Sequence, residues 1–229
     1  MRDAEIPHFI NEAFDAESVS PAQLDLVLAG GWRHFGTYFF RYNLGVYEGG
    51  IRRVMPLRIR LADFRRSKSQ RRVLRRNADL DVSIGPFSVE PETHDLFERH
   101  KRRFKSGVPN SIYDFIARDA ESSPTELFEI TVRDNGRLVA ASFFDLAERS
   151  VSAIYGCFDP DETSRSLGIF TMLKVIEYAT SLGFEFYYHG YAYEGSSFYD
   201  YKKRFIAVEQ YDWNGTWFPS ETPPRSEKN

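Results

Sequence analysis

Cysteine is almost missing from this sequence, because Cys157 is the only one among 229 residues. A single thiol excludes an intramolecular disulfide and any zinc or iron–sulfur site built from several cysteines. The five histidines show no paired spacing of the kind that binds a metal on one helix face. The sequence therefore predicts no metal site.

Long apolar runs are also absent. No stretch approaches the roughly 18–20 apolar residues that cross a bilayer, and the N-terminus lacks the basic-then-apolar order of a signal peptide. A disordered chain is excluded as well, since hydrophobic residues make up 42% of the sequence and aromatic residues 16%. We expect a soluble cytoplasmic protein with a packed core and no membrane partner.

The net charge is only −3, but the charges are unevenly distributed. Residues 51–76 contain eleven Lys or Arg and one Asp. Ser67 and Gln70 fit a capping box, which predicts a helix over 68–76. Four arginines of this helix fall in i,i+4 rows, where like charges repel one another. They are Arg71, Arg72, Arg75 and Arg76. A phosphate-rich partner would relieve that repulsion, so we predict a phosphate-binding helix, with a solvated basic helix as the alternative.

The order of elements after residue 78 predicts the fold class. Hydrophobic periodicity and turn residues predict the order β-α-α-β-β-β-α-β-α-β. Its second helix covers 111–119, its long third helix covers 167–182, and its last helix covers 199–205; Asn135-Gly136 is a strong hairpin turn. This order is similar to the GNAT acetyltransferase fold, an α/β (α+β) fold with a mixed central sheet.

The predicted domain organisation follows from the basic block and this order. We expect residues 1–78 to form a small N-terminal lobe that carries the Arg-rich helix. Residues 79–219 then form the GNAT-like transferase domain, and 220–229 form a flexible tail.

In GNAT enzymes, the N-terminus of the third helix holds the pyrophosphate of an acyl carrier through its free amides and dipole. The segment here is Arg165, Ser166, Leu167 and Gly168, which we predict to bind the end of an acyl donor. Phe170 replaces the last small residue of the R/Q-x-x-G-x-G/A pattern. We expect Phe170 to crowd the close approach that coenzyme A needs.

Several further motifs run in order over roughly residues 21–205. They are Gly31-Trp-Arg-His-Phe-Gly36, Tyr38-Phe-Phe-Arg41, Pro56-Leu-Arg-Ile59, residues 64–77, Phe158-Asp-Pro160, Ser166-Leu-Gly168, Tyr188-His-Gly-Tyr191, Glu194-Gly-Ser196, Tyr201-Lys202 and Arg204-Phe205. With these motifs, the sequence resembles the bacterial aspartate/glutamate leucyltransferases and their arginyl-tRNA–protein transferase relatives.

The resemblance implies a reaction and its partners. Such enzymes move an amino acid, Leu or Arg, from aminoacyl-tRNA to the N-terminal amine of a protein that begins with Asp or Glu. This marks the protein for degradation in an N-degron pathway. The expected partners are aminoacyl-tRNA, as co-substrate, and acceptor N-termini, with no other cofactor. The resemblance implies that the Arg-rich helix would hold the tRNA through Arg71, Arg72, Arg75 and Arg76. Aminolysis of the ester needs a deprotonated amine, a positioned ester and oxyanion donors more than a protein nucleophile.

Two departures from the family pattern concern the N-terminal half and the last helix. Family members carry metal-binding cysteines in two segments, which here read as residues 6–10 and 43–51 without cysteine. The usual Lys-Met before the Tyr-Lys pair is replaced by Phe198-Tyr199-Asp200. These changes bear on regulation, acceptor choice or activity.

Three residues are candidates for the chemical step. Tyr155 and Asp159 flank the loop between the predicted strand and the long helix, although Asp159-Pro160 is also an ordinary turn. Glu194 follows the fifth strand of the GNAT order, close to where an acyl group lies, and we predict that it accepts the proton of the amine. A solvated loop carboxylate is the alternative for Glu194.

Four further residues are candidates for substrate binding. Gly190 permits close approach to the strand end, although a strand glycine also marks a bulge. It is followed by Tyr191. Tyr201 and Lys202 would orient the donor or pair with an acidic acceptor residue, and a surface lysine is the alternative. His189 and Cys157 are interpreted as packed residues.

Two other functions remain open from the sequence. One is a coenzyme A-dependent N-acyltransferase of the GNAT type. The other is a non-catalytic relative that binds tRNA or acidic N-termini without turnover.

Overall fold

The computed structural model describes residues 9–105 and 107–220. The helices are α1 Pro21–Ala29, α2 Lys68–Arg76, α3 Pro91–Lys101 and α4 Leu167–Ser181. The strands are β1 Asn11–Asp15, β2 Arg33–Phe35, β3 Tyr38–Tyr42, β4 Leu44–Tyr47, β5 Gly50–Arg60, β6 Asp81–Pro86, β7 Glu126–Asp134, β8 Arg137–Leu146, β9 Ser150–Phe158, β10 Phe186–Tyr193, β11 Val208–Tyr211 and β12 Trp217–Pro219. The predicted tail lies almost wholly outside the described residues.

Capping boxes start the first two helices. The hydroxyl of Ser20 accepts from the amide of Gln23, and the side chain of Gln23 accepts from the amide of Ser20. Ser67 and Gln70 make the same reciprocal pair at the start of α2. Each box satisfies two amides that a helix N-terminus otherwise leaves free. The prediction of a helix over 68–76 is confirmed.

In the described part of the chain, nine strands form the main sheet in the order β12-β11-β5-β10-β9-β8-β7-β6, with β4 paired to β5. Helices cover both faces. Phe143 packs in a cluster with Leu96 and Phe97 of α3, whereas Phe144 packs with Leu173 and Ile176 of α4. Alternate residues of a strand face opposite sides of a sheet, so β8 serves both cores. The predicted mixed α/β class with a large mixed sheet is confirmed.

β9 and β10 are the only parallel neighbours among these strands, and α4 is the crossover between them. Their pairing covers only three residues, from Phe186 opposite Ser150 to Tyr188 opposite Ser152. A bulge follows in β10 between Tyr188 and Gly190. Beyond it, the two strands separate and leave the edge of β9 without a strand partner. We call this the strand divergence.

A three-stranded sheet of order β1-β3-β2 packs beside the main sheet. Its buried Phe39 lies in a cluster with Leu24 and Leu28 of α1 and Tyr188 of β10. The hydroxyl of Tyr191 donates to the carbonyl oxygen of Gly31 at 2.6 Å, which adds a polar tie between the two sheets. The boundary at residue 78 stays a prediction; β5, which precedes it, pairs with β10 and β11 inside the main sheet.

Two predicted helices are different in the structure. Residues 111–119 contain only the one-turn 3-10 helix Ile112–Asp114. The carboxylate of Asp114 accepts from the amides of Asn110 and Ser111, and such local bonds compete with a continuing helix. The helix expected at 199–205 is the 3-10 helix Phe198–Arg204. By contrast, Asn135 and Gly136 both have positive φ, as the predicted hairpin turn requires.

We expect Tyr191→Phe to lower the free energy of unfolding by about 1–3 kcal/mol, because the buried carbonyl of Gly31 loses its donor. Urea denaturation followed by circular dichroism measures the change. Tyr38→Phe is the matched control, since Tyr38 is 50% exposed and its hydroxyl makes no hydrogen bond within the described residues. Equal stability of both variants and the wild type would contradict this role for Tyr191.

Candidate functional site at the strand divergence

The strand divergence faces the same end of the sheet as the N-terminus of α4. Parallel strands β9 and β10 open toward their carboxyl ends, and β9 leads directly into the loop before α4. The basic helix α2 reaches this loop, because the guanidinium of Arg76 donates to the carbonyl oxygen of Ser164. A ligand that spans α2 and the strand divergence would therefore lie along one edge of the protein.

Arg33 from β2 enters the strand divergence. Its guanidinium donates to the hydroxyl of Ser152 at 2.9 Å and to the carbonyl oxygen of Ala153. Arg33 is 8% exposed. It thus occupies the position at which β10 would have continued to pair with β9. The motif at residues 31–36 did not identify Arg33 as a site residue, because no local pattern indicates a contact 119 residues away.

Lys202 reaches the same place from the 3-10 helix Phe198–Arg204. Its Nζ donates to the carbonyl oxygen of Tyr191 at 3.1 Å. Gly190 has φ +90°, and a Cβ atom there would lie 3.0 Å from Nζ of Lys202 and 3.8 Å from Cζ of Arg33. The predicted binding residues Gly190, Tyr191 and Lys202 are therefore brought together, and Gly190 leaves room for both cations.

Neither Arg33 nor Lys202 has a carboxylate within ion-pair distance in the described part of the chain. The nearest electrostatic partner of Arg33 among carboxylates is Asp145. Asp145 is already engaged, as its oxygens lie 2.8 Å from His34 Nε2 and 2.7 Å from the hydroxyl of Thr125. Burial, with the nearby charge of Arg33 as a smaller cause, lowers the pKa of Lys202 to about 7.

Aromatic side chains enclose this pair. Tyr42, Tyr187 and Tyr191 all lie within electrostatic range of Arg33. Burial raises the pKa of each of these phenols, that of Tyr42 to about 12, so all three are neutral donors. His189 lies beside Lys202, its Nε2 3.1 Å from the lysine carbonyl oxygen, and burial lowers its pKa to about 3. It is a neutral packed histidine.

Tyr155 and Tyr201 are the other two predicted tyrosines. The ring of Tyr155 stacks on Phe115 at 4.0 Å, and its buried hydroxyl has no hydrogen-bond partner within the described residues. Burial raises the pKa of Tyr201 to about 12. Both phenols are within electrostatic range of the guanidinium of Arg103. The roles predicted for Tyr155 and Tyr201 stay predictions.

The two predicted carboxylates differ in environment. Asp159 is 2% exposed, accepts from Arg137 at 2.7 Å and lies 3.5 Å from Arg99. Glu194 is exposed, follows β10 and makes no ion pair with the described residues. The backbone amide of Glu194 donates to the carbonyl oxygen of Arg53. Asp159 is therefore engaged by two guanidinium groups, whereas the carboxylate of Glu194 is exposed and without an ion pair among the described residues.

The arginine of the loop before α4 is already paired with carboxylates. Arg165 forms a two-pronged pair with Asp79 at 3.0 Å and lies 3.3 Å from Asp134 and 3.4 Å from Glu162. Three carboxylates at this helix end repel a pyrophosphate, which disfavours coenzyme A.

The other residues of the same turn serve backbone geometry and packing. Ser166 has φ +54°, and Leu167 is buried. A Cβ at Gly168 would lie 3.2 Å from the ring of Phe158. The expectation that Phe170 crowds the helix end is wrong: its side chain is 1% exposed and packs in the core with Leu80. At the fourth residue of α4, a side chain faces the sheet.

α2 presents its arginines to solvent. Its two partly buried apolar residues, Val73 and Leu74, pack toward the core. The four predicted tRNA-binding side chains are exposed and form no ion pair within the described residues. They are Arg71, Arg72, Arg75 and Arg76.

Comparison with known proteins gives the family. The family model described as "Arginine-tRNA-protein transferase, C terminus" matches residues 92–212. An aspartate/glutamate leucyltransferase of Stenotrophomonas maltophilia is 31% identical over 197 residues, which cover 82% of this chain and 76% of that protein. This chain belongs to the arginine-tRNA-protein transferase family. The resemblance found in the sequence is confirmed.

Two other similarities complete the comparison. The chain is 32% identical over 183 residues to an aspartate/glutamate leucyltransferase of Acinetobacter baumannii, covering 78% of this chain and 66% of that protein. The match thus spans about two thirds of the length of that relative. Among solved structures, L-PGS from Bacillus licheniformis aligns with a TM-score of 0.47 and 12% identity over 81% of this chain and 55% of that one.

Within the described residues of this family member, no group of three or more His, Cys, Asp or Glu side chains could hold a metal ion. Cys157 is buried, and burial raises the pKa of its thiol to about 12, which makes it a poor nucleophile. No helix in the described ranges is long and apolar enough to cross a membrane.

We expect one lysine to titrate near pH 7 and to be Lys202. Reductive methylation with ¹³C-formaldehyde followed by an NMR pH titration measures each lysine, and Lys202→Met identifies the signal by its loss. Lys105→Met, which changes an exposed lysine, leaves that signal in place. If every lysine titrated above pH 9, the buried, unpaired environment assigned to Lys202 would be wrong.

Proposed function

We propose that this protein transfers an amino acid, Leu or Arg, from aminoacyl-tRNA to the N-terminal amine of proteins that begin with Asp or Glu. In a cytoplasm, such a product would enter an N-degron pathway. The observation that carries this proposal is the unpaired arginine surface of α2, joined through Arg76 to the loop at the strand divergence. It supports one partner that is both phosphate-rich and acyl-bearing.

The proposed tRNA contact is electrostatic. Arg72 and Arg75 are exposed on α2 and free of ion pairs within the described part of the chain, so both are available to phosphates. Each phosphate contact contributes about 0.9 to the slope of log affinity against log salt for duplex nucleic acid. The loop at Arg165, whose guanidinium is already paired with carboxylates, would contact the 3′ end of the tRNA mainly through shape.

The proposed chemistry is direct aminolysis. The neutral α-amine of the acceptor attacks the ester carbonyl of the aminoacyl-tRNA. A peptide bond forms, the ribose oxygen of the tRNA leaves as a hydroxyl, and the amine loses one proton. Glu194 is proposed to accept that proton and to pass it to the departing ribose oxygen, because its carboxylate is exposed and unpaired among the described residues. Asp159, held by Arg99 and Arg137, would instead shape the loop together with Tyr155.

We expect Arg72→Glu and Arg75→Glu each to weaken tRNA binding, to lower its salt slope by about 1, and together to abolish transfer at physiological salt. The measurement uses tRNA charged with radiolabelled Leu or Arg, peptides that start with Asp, Glu, Lys or Ala, and filter binding in a salt series. Arg149→Glu is the matched control, as Arg149 is exposed at the β8–β9 turn, at the opposite end of the sheet.

If the Arg72→Glu, Arg75→Glu double variant transferred the amino acid as fast as the wild type, α2 would not be part of the tRNA-binding surface. Absence of transfer by the wild type with either donor, while tRNA still binds, would replace the transferase proposal with a binding-only protein.

A further inference from the structure

Resting on the proposed function, we propose that Arg33 and Lys202 together bind the side-chain carboxylate of the acceptor's N-terminal residue beside Gly190. The pair is a specificity-determining site, and it lies where the strand divergence opens.

The charge balance of the pair points to an anionic ligand. Arg33 is 8% exposed and Lys202 is partly buried, yet neither forms an ion pair within residues 9–105 and 107–220. Their charged groups approach the same point, 3.0 Å and 3.8 Å from the position of a Cβ on Gly190. Burying two like charges without a counterion destabilises a fold, and such arrangements concentrate at functional sites. A bound carboxylate supplies the missing negative charge.

Both cations retain free donors. A guanidinium has five N–H donors, and Arg33 uses donors toward Ser152 and Ala153. An ammonium has three, and one from Lys202 bonds to the carbonyl oxygen of Tyr191. The remaining donors make no hydrogen bond within the described residues. A carboxylate can accept from both groups at once, which a neutral amide of the same shape does more weakly.

The enclosure of the pair favours a side-chain carboxylate over RNA phosphate. Arg33 is 8% exposed and lies within electrostatic range of the half-buried Tyr42 and the buried Tyr187, whereas Lys202 is partly exposed. A single short acidic side chain can enter such a site, while the phosphates of a tRNA have the exposed arginines of α2. The α-amine of the same residue would remain outside, nearer to the acyl ester.

Proton uptake is a second property of this site. Lys202 faces Arg33 of β2, His189 and Tyr191 of β10 and the ring of Tyr199 in its own 3-10 helix. None of these groups carries a negative charge near pH 7, so the pKa of the empty site lies at about 7. A bound carboxylate favours the protonated lysine and raises that pKa. Binding therefore takes up a proton and weakens as the pH rises above 7.

The test measures peptide binding without tRNA. Fluorescent peptides that start with Asp, Glu, Asn or Gln are titrated with the full chain, and anisotropy is read at pH 6, 7 and 8.5. We expect the wild type to prefer Asp over Asn by about tenfold or more, with the preference shrinking at pH 8.5. Lys202→Met reduces the preference to near unity, Lys202→Arg retains it and removes its pH dependence, and the exposed control Lys105→Met leaves it unchanged.

Each outcome decides the proposal. Circular dichroism shows that the variants fold, and the folded Lys202→Arg variant supplies a charge-preserving comparison. A preference for Asp that persists in folded Lys202→Met, or a wild type that binds Asp and Asn peptides equally, overturns the site. Loss of tRNA affinity in Lys202→Met with an unchanged peptide preference assigns Lys202 to the donor and also overturns it. Acid-selective binding without any transfer upholds the site and defeats the transferase function instead.

Discussion

A buried strand edge must find hydrogen-bond donors, and the strand divergence creates that need in the middle of the main sheet. β9 and β10 pair over three residues and then separate, so Ala153, which pairs with Phe144 of β8, has no partner on β10. Arg33 supplies the donor from outside the sheet. This requirement fixes β2 against β9, and with it the small sheet, whose Phe39 shares a core cluster with Tyr188 of β10.

The same divergence explains why two cations lie close together. The bulge before Gly190 turns the carbonyl oxygen of Tyr191 toward the 3-10 helix that follows β10, where Nζ of Lys202 donates to it. Arg33 and Lys202 are thus each held by a backbone carbonyl of a separating strand. A carbonyl oxygen orients a cation but carries no full charge, so these backbone contacts do not balance the two positive charges.

The arginines of α2 and of the loop before α4 differ in whether they are paired with carboxylates. At α4, Arg165 is surrounded by Asp79, Asp134 and Glu162, and the predicted phosphate turn is neutralised. On α2, Arg72 and Arg75 remain exposed and unpaired within the described chain. The surface available to a polyanion is therefore the side of α2 and not the N-terminus of α4.

The sequence by itself determined the features that depend on neighbours along the chain: the capping box at Ser67, the hairpin at Asn135-Gly136, the basic band of α2 and the mixed α/β class. The family also followed from ordered motifs. Features that depend on distant partners needed the tertiary structure. A six-residue motif could not show that Phe170 points into the core, or that carboxylates from two other segments hold Arg165 together with Glu162 of its own loop. Nor could it bring Arg33 to Ser152, because that contact exists only after two sheets have packed and one pair of strands has separated.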